Sequence, residues 1–148
     1  MRAILQRVNN ASVTIGGELH TKIERGLLVL FCVETGDTTD DLDYMEKKIT
    51  ALRIFPDSDD KMNLSVCDVG GEILLVSQFT LAGDARRGTR PSYSDAARPD
   101  EAIPMYEDMI NRLKKYATVK SGVFGADMQV GLVNDGPVTI MLDSRKRF

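Results

Sequence analysis

The chain is short of the residues that usually carry chemistry, with one histidine and two cysteines in 148 residues. His20, Cys32 and Cys67 lie far apart and do not make a zinc ligand set, so no metal is expected. The cysteines lack CxxC spacing and sit among apolar neighbours, which reads as buried, reduced thiols rather than a disulfide framework. No apolar run approaches the roughly 20 residues that span a bilayer. Residues Met1 to Val8 hold no signal-peptide apolar segment and return to charge within a few positions. The expectation is a cytoplasmic protein with no membrane attachment. Neither Pro and Gly nor low complexity dominates, which excludes a disordered or fibrous chain. A net charge of −3 speaks against a general polyanion binder.

What is present is a globular composition, 43% apolar and 28% charged, at a length that suits one domain with its own core. Alternation and turn signals predict strands over 2–8 and 11–15, a hairpin at Gly16-Gly17 and a strand over Glu18–Ile23. The continuous apolar run Leu27–Val33 predicts a strand buried on both faces. Thr38 or Thr39 can cap a helix with Asp40, Asp41 and Asp43 in its first turn. Its apolar face is Leu42, Met45, Ile49, Leu52 and Phe55, and Pro56 marks its end. Strand character returns over Met62–Val69 and, after Gly70-Gly71, over Glu72–Leu81. Residues 82–98 form a long irregular loop, a kind that often carries function. A second helical stripe runs through Ala102, Ile103, Tyr106, Met109, Ile110 and Leu113, with Pro104 in its first turn or delaying its start. Strands over Val119–Val123, Met128–Asn134 and Val138–Leu142 complete the pattern. The reading is an α+β single domain, residues 1–148, with a mainly antiparallel, barrel-like sheet and two main helices. Both helical stripes are assigned to the core and given no ligand role.

Two short segments stand out. Ser77-Gln78-Phe79-Thr80-Leu81 ends an apolar run, and Asn134-Asp135-Gly136-Pro137-Val138-Thr139 lies between two. Ser77 and Thr80 are hydroxyls without an adjacent base, and His20 sits in a remote polar hairpin, so a Ser-His pair is disfavoured. Gln78 offers a donor and an acceptor, Phe79 a flat wall, and main-chain amides at a strand end can form an oxyanion hole. In Gly136-Pro137 the glycine reaches φ values closed to other residues, and the proline fixes its own φ at the one bond where cis is accessible. A Gly-cis-Pro turn would hold carbonyls rigidly enough to test the chirality of a ligand. The same dipeptides also signal an ordinary hairpin turn, which is the stronger reading on physics alone. Acidic residues crowd Glu34–Asp60, while Arg86, Arg87, Arg90 and Arg98 follow the first segment and Arg145-Lys146-Arg147 end the chain. Such clusters fit docking of one specific nucleic acid as well as they fit solvated surface.

Over essentially its full length the chain resembles a D-aminoacyl-tRNA deacylase. The resemblance rests on SQFTL at 77–81 and NDGPVT at 134–139. Arg7, the loop Arg87-Gly88-Thr89-Arg90-Pro91-Ser92 and Gly122-Val123-Phe124-Gly125-Ala126 accompany them. A departure is Ala82-Gly83, where an aromatic commonly follows the first motif. The resemblance implies hydrolysis of the ester joining a D-amino acid to the tRNA 3′ end, with no cofactor. It implies a homodimer in which the Gly-Pro motif of one subunit enters the other's pocket, Gly136 and Pro137 rejecting L-aminoacyl groups and Arg7 fixing the loop. Gln78, Phe79 and Thr80 would line the pocket as its catalytic wall, with Ser77, Val138 and Thr139 as further substrate contacts. The substrate's own 2′-hydroxyl would assist water, and glycyl-tRNA would leak through for want of a side chain to reject. Arg86, Arg87, Arg90 and the basic tail would meet tRNA phosphates. The alternative is a non-enzymatic nucleic-acid-binding module on the same fold.

Overall fold

A computed structural model describes the whole chain, Met1–Phe148. Strand β1 (Arg2–Ile15) is the spine, antiparallel on one edge to β2 (Glu18–Ile23) and β3 (Gly26–Cys32). Helix α1 (Thr39–Ala51) and the short pair β4 (Phe55–Pro56) and β5 (Met62–Leu64) lead back to β6 (Glu72–Ser77), which lies parallel to β3. A single 3₁₀ turn (Phe79–Ala82), the loop and α2 (Pro99–Leu113) precede β7 (Val119–Ser121), parallel to β6. Strand β8 (Gln129–Asp143) returns along the other edge of β1 and pairs with nothing else.

The sheet is therefore mixed rather than mainly antiparallel. Each helix serves as the crossover that a parallel pair requires, and a hairpin cannot supply it. Residues alternate between two cores, which confirms that the Leu27–Val33 run is buried on both faces. Leu27, Val29, Phe31, Ile73 and Leu75 face a 20-residue cluster under both helices. Leu28, Leu74 and Val76 face a second cluster of seven, which Val8, Ala11, Val13 and Ile23 complete as the sheet curls on itself.

Several boundaries differ from those read in the sequence. The helix capped by the Asp41 carboxylate, which accepts from the Thr38 amide at 2.8 Å, ends at Ala51, and Phe55 enters a two-residue strand. The strand expected over Met62–Val69 stops at Leu64, because Asp68 accepts from the Ser65 amide and turns the chain. The strand expected to Leu81 stops at Ser77. Pro104 lies in the second turn of α2, whose first residue is Pro99. The strands expected over Met128–Asn134 and Val138–Leu142 are one strand starting at Gln129, interrupted by a bulge rather than joined by a turn.

Candidate functional site

At the carboxyl ends of the parallel strands β3 and β6 the two cores stop, and a cavity of about 310 Å³ opens between them. Phe31, Cys32, Val33 and Val76–Phe79 line one side, and Phe124–Met128 line the other. Tyr106 closes the floor. Gly122 permits the close approach of the second wall, since a Cβ there would lie 2.6 Å from the Met128 sulfur. The Gln78 amide donates to the Phe31 carbonyl at 2.8 Å, and the Leu81 amide to the Gln78 carbonyl at 3.2 Å. The intervening amides of Phe79 and Thr80 come first in the turn, before any carbonyl it could offer them.

The titratable chemistry of this wall is sparse. Gln78 Nε2 donates to Thr80 Oγ1 at 2.5 Å, so the threonine hydroxyl has an amide beside it and no base. His20 does not line the cavity; its Nε2 lies 3.2 Å from the Ser121 carbonyl oxygen. Burial pushes the Cys32 thiol up to about 11, which keeps it protonated and unreactive. Phe79, 56% exposed, meets Tyr93 edge-to-face at 5.3 Å, placing an aromatic pair at the rim that sequence reasoning had not singled out.

The second segment lies elsewhere in the chain. Gln6 pairs with Thr139 and Val8 with Asn134, so four residues, Asp135 to Val138, bulge out opposite Arg7 alone. The Gly136–Pro137 peptide is cis. Gly136 has φ +127°, and a Cβ there would lie 2.9 Å from Val138 Cγ2. Arg7, 8% exposed, fills the bulge. Its Nε donates to the Asp135 carbonyl at 3.1 Å and pairs with the Asp135 carboxylate at 3.2 Å. Its Nη1 donates to the Ile54 carbonyl at 2.7 Å. Thr139 Oγ1 donates to Gln6 Oε1 at 2.9 Å.

No residue of 134–139 lines the cavity. Arg7 pairs with Leu27 and Leu27 with Ile73, which is four residues short of Ser77. At ~3.3 Å per residue and ~4.8 Å per strand, with three strand spacings between β8 and β6, the segments stand roughly 20 Å apart.

The cationic residues also divide. Arg86 grips the Asp84 carboxylate through two bonds, 2.9 and 2.7 Å, drawing that carboxyl well below its usual range. Arg145 bonds Asp37, and Arg147 bonds Glu34 and Asp143. There the basic tail meets the buried Met1 ammonium, itself 2.8 Å from Asp37. Arg87 and Arg90 are exposed and form no ion pair.

Comparison with known proteins then decides the family. The model of the D-Tyr-tRNA(Tyr) deacylase family matches residues 4–143. The chain belongs to that family. A D-aminoacyl-tRNA deacylase of Thermosipho africanus is 56% identical with full coverage of both chains, and one of Desulfitobacterium hafniense is 54% identical, again over the full length of both. A solved structure titled c-Myc DNA Unwinding Element Binding Protein superposes with a TM-score of 0.92 at 43% identity, covering 97% of this chain and 98% of that one. A second, titled a probable eukaryotic D-amino acid tRNA deacylase, has a TM-score of 0.79 at 18% identity over 95% and 97% of the two chains, which shows the shared fold. Membership places this deacylase among hydrolases acting on aminoacyl-tRNA. No helix is long and apolar enough to cross a membrane.

Proposed function

We propose that this deacylase hydrolyses the ester between a D-amino acid and the tRNA 3′ end in a site that two copies of the chain complete together. The observation that carries the reading is a mostly apolar cavity that holds no histidine and a single carboxylate, Asp127, with the Gly136-Pro137 bulge roughly 20 Å away on an edge strand. The outer edge of β8 is unpaired, and Val133 and Met141 are 50% and 61% exposed there, which supports its pairing with a second copy. That copy would bring its own Gly136 and Pro137 to the first copy's cavity, with Val138 and Thr139 behind them and Arg7 holding the bulge.

The chemistry suits such a site. Water adds to the ester carbonyl, the tetrahedral oxyanion meets the Phe79 and Thr80 amides, and collapse expels the ribose oxygen, which leaves with a proton. The substrate's neighbouring 2′-hydroxyl assists the water, so positioning and electrostatics are what the protein contributes. Ser77, Gln78 and Thr80 orient the substrate, and Phe79 supplies an apolar face. An L side chain would meet the Gly-Pro carbonyls where a D residue presents only Hα; glycine, with two hydrogens, would pass. Of the cations expected to meet tRNA phosphates, Arg87, Arg90 and Lys146 form no ion pair, whereas Arg86, Arg145 and Arg147 are held in them.

Release of tyrosine from D- and L-tyrosyl-tRNA, compared for the wild type and Pro137→Ala, tests the reading. Cleavage of the D-ester alone, with selectivity lost in the variant, is expected. Cleavage of both esters by the wild type sinks the gauge. RNA binding without turnover would favour the non-enzymatic reading, to which the free Arg87 and Arg90, and the DNA-binding title of one solved relative, lend support.

A further inference from the structure

Tyr106 belongs to the apolar stripe of α2 and is 3% exposed, yet it lines the cavity with its ring tilted against Phe124 at 5.8 Å. A phenylalanine would fill the same ring space, so the hydroxyl needs its own explanation. It donates to the Leu75 carbonyl at 2.9 Å, an oxygen that also accepts from the Gly122 amide at 3.0 Å. Ser121 pairs with Leu75 on the sheet and so stands beside the same carbonyl.

That junction is where two parallel strands part. The last rung of the β6–β7 ladder is Leu75 with Ser121, and the cavity opens beyond it. The Ile73 amide points toward β7 and donates to the Thr118 carbonyl at 2.9 Å. Alternation turns the Ser77 amide to the same side, where β7 has already departed. An interior amide without a partner is destabilising, and a phenol can both donate and accept. Burial pushes the Tyr106 pKa up to about 12, so the donated proton stays in place.

We propose that Tyr106 is a positioning residue: its hydroxyl occupies the fork left by β7 and aims the Ser77–Phe79 backbone that walls the cavity. The catalytic consequence rests on the deacylase reading; the positioning rests on the fork alone.

Tyr106→Phe tests it, with Thr50→Val as a control that removes a hydroxyl donating to the Glu46 carbonyl at 2.8 Å within α1, away from the cavity. Amide hydrogen exchange at Ser77 is expected to quicken about tenfold in Tyr106→Phe and not in the control, the effect of one buried hydrogen bond. Turnover of D-tyrosyl-tRNA should fall about tenfold with KM within about twofold, while the control keeps kcat at a similar loss of Tm. Unchanged exchange at Ser77, or a kcat loss that the control equals, overturns the proposal. A wild type that cleaves no D-ester defeats the deacylase reading instead, and the exchange rates still decide the positioning.

Discussion

Ser77–Thr80 leaves the sheet between two packed cores, whereas Asp135–Val138 leaves it at an edge that nothing in the chain covers. Both present main chain, but they are fixed in opposite ways. The first follows Val76 at 1% and Leu75 at 0% exposure; its Gln78 amide bonds β3, and the Leu75 carbonyl just before it accepts from α2 and from the segment after β7. The second depends on one arginine reaching through it to the carbonyl of Ile54. A segment held by packing shares its disruption among many neighbours. A segment held by a single side chain concentrates it.

Arg7→Ala should break the comparison at its weaker side and have the largest effect. It removes the Asp135 and Ile54 bonds together and leaves the bulge without a core. Deacylation of the D-ester, or its discrimination from the L-ester, should worsen about 100-fold, the scale of a 1 Å misplacement of a reacting group. Single-turnover assays on both esters check this, and wild-type selectivity in the variant would show that β8 holds the bulge unaided.

Arg147→Met probes a third kind of support, the ion cluster around Met1, and should change stability without changing selectivity. Burial alone would raise the Glu34 carboxyl, but the Arg147 and Met1 cations bring it below its usual value. Asp143 is likewise drawn down by Arg147 against the effect of burial. A carboxyl whose folded value lies below its unfolded one stabilises fully above the unfolded range, near pH 4, and loses that contribution as pH falls through the folded value. The variant should lose about 2 kcal/mol at pH 7, roughly 4–8 °C in Tm, with the gap to wild type closing below about pH 4. Thermal melts from pH 3 to 8 measure it, and a gap that widens in acid contradicts the assignment.

The smallest effect belongs to Thr80→Val. With Gln78 as the neighbour and no base, kcat should fall no more than about threefold, a change under 1 kcal/mol. A loss beyond about 100-fold would make the hydroxyl chemical after all and upset the view of this wall as main chain.

Much of this architecture was legible beforehand, and its failures have physical causes. Period and length identified β3, both helices and the turn glycines, because burial on two faces or one writes itself into the order of apolar residues. The bulge was invisible because it is a property of register, four residues against Arg7, and register depends on a partner strand 128 positions away. The parallel pairs were missed because a crossover helix and a returning helix look alike in sequence. Ser77 to Thr80 could be seen as polar groups closing an apolar run. Phe124–Met128, the opposite wall, was marked only by the family resemblance of residues 122–126, since its order of residues carries no periodic or polar signal. Tyr106 obeyed the core period so well that its hydroxyl drew no notice, and the arginines of the tail resembled a solvated end until Glu34, Asp37 and Asp143 appeared beneath them.

The bulge in β8 has one more consequence. A 15-residue edge strand with exposed valine and methionine is a template on which chains could stack without limit. Four residues thrown out of its ladder interrupt the straight row of donors and acceptors that a fibril needs. Under the proposed pairing of two copies, the kink that shapes the edge for one partner also denies it to an endless series of them.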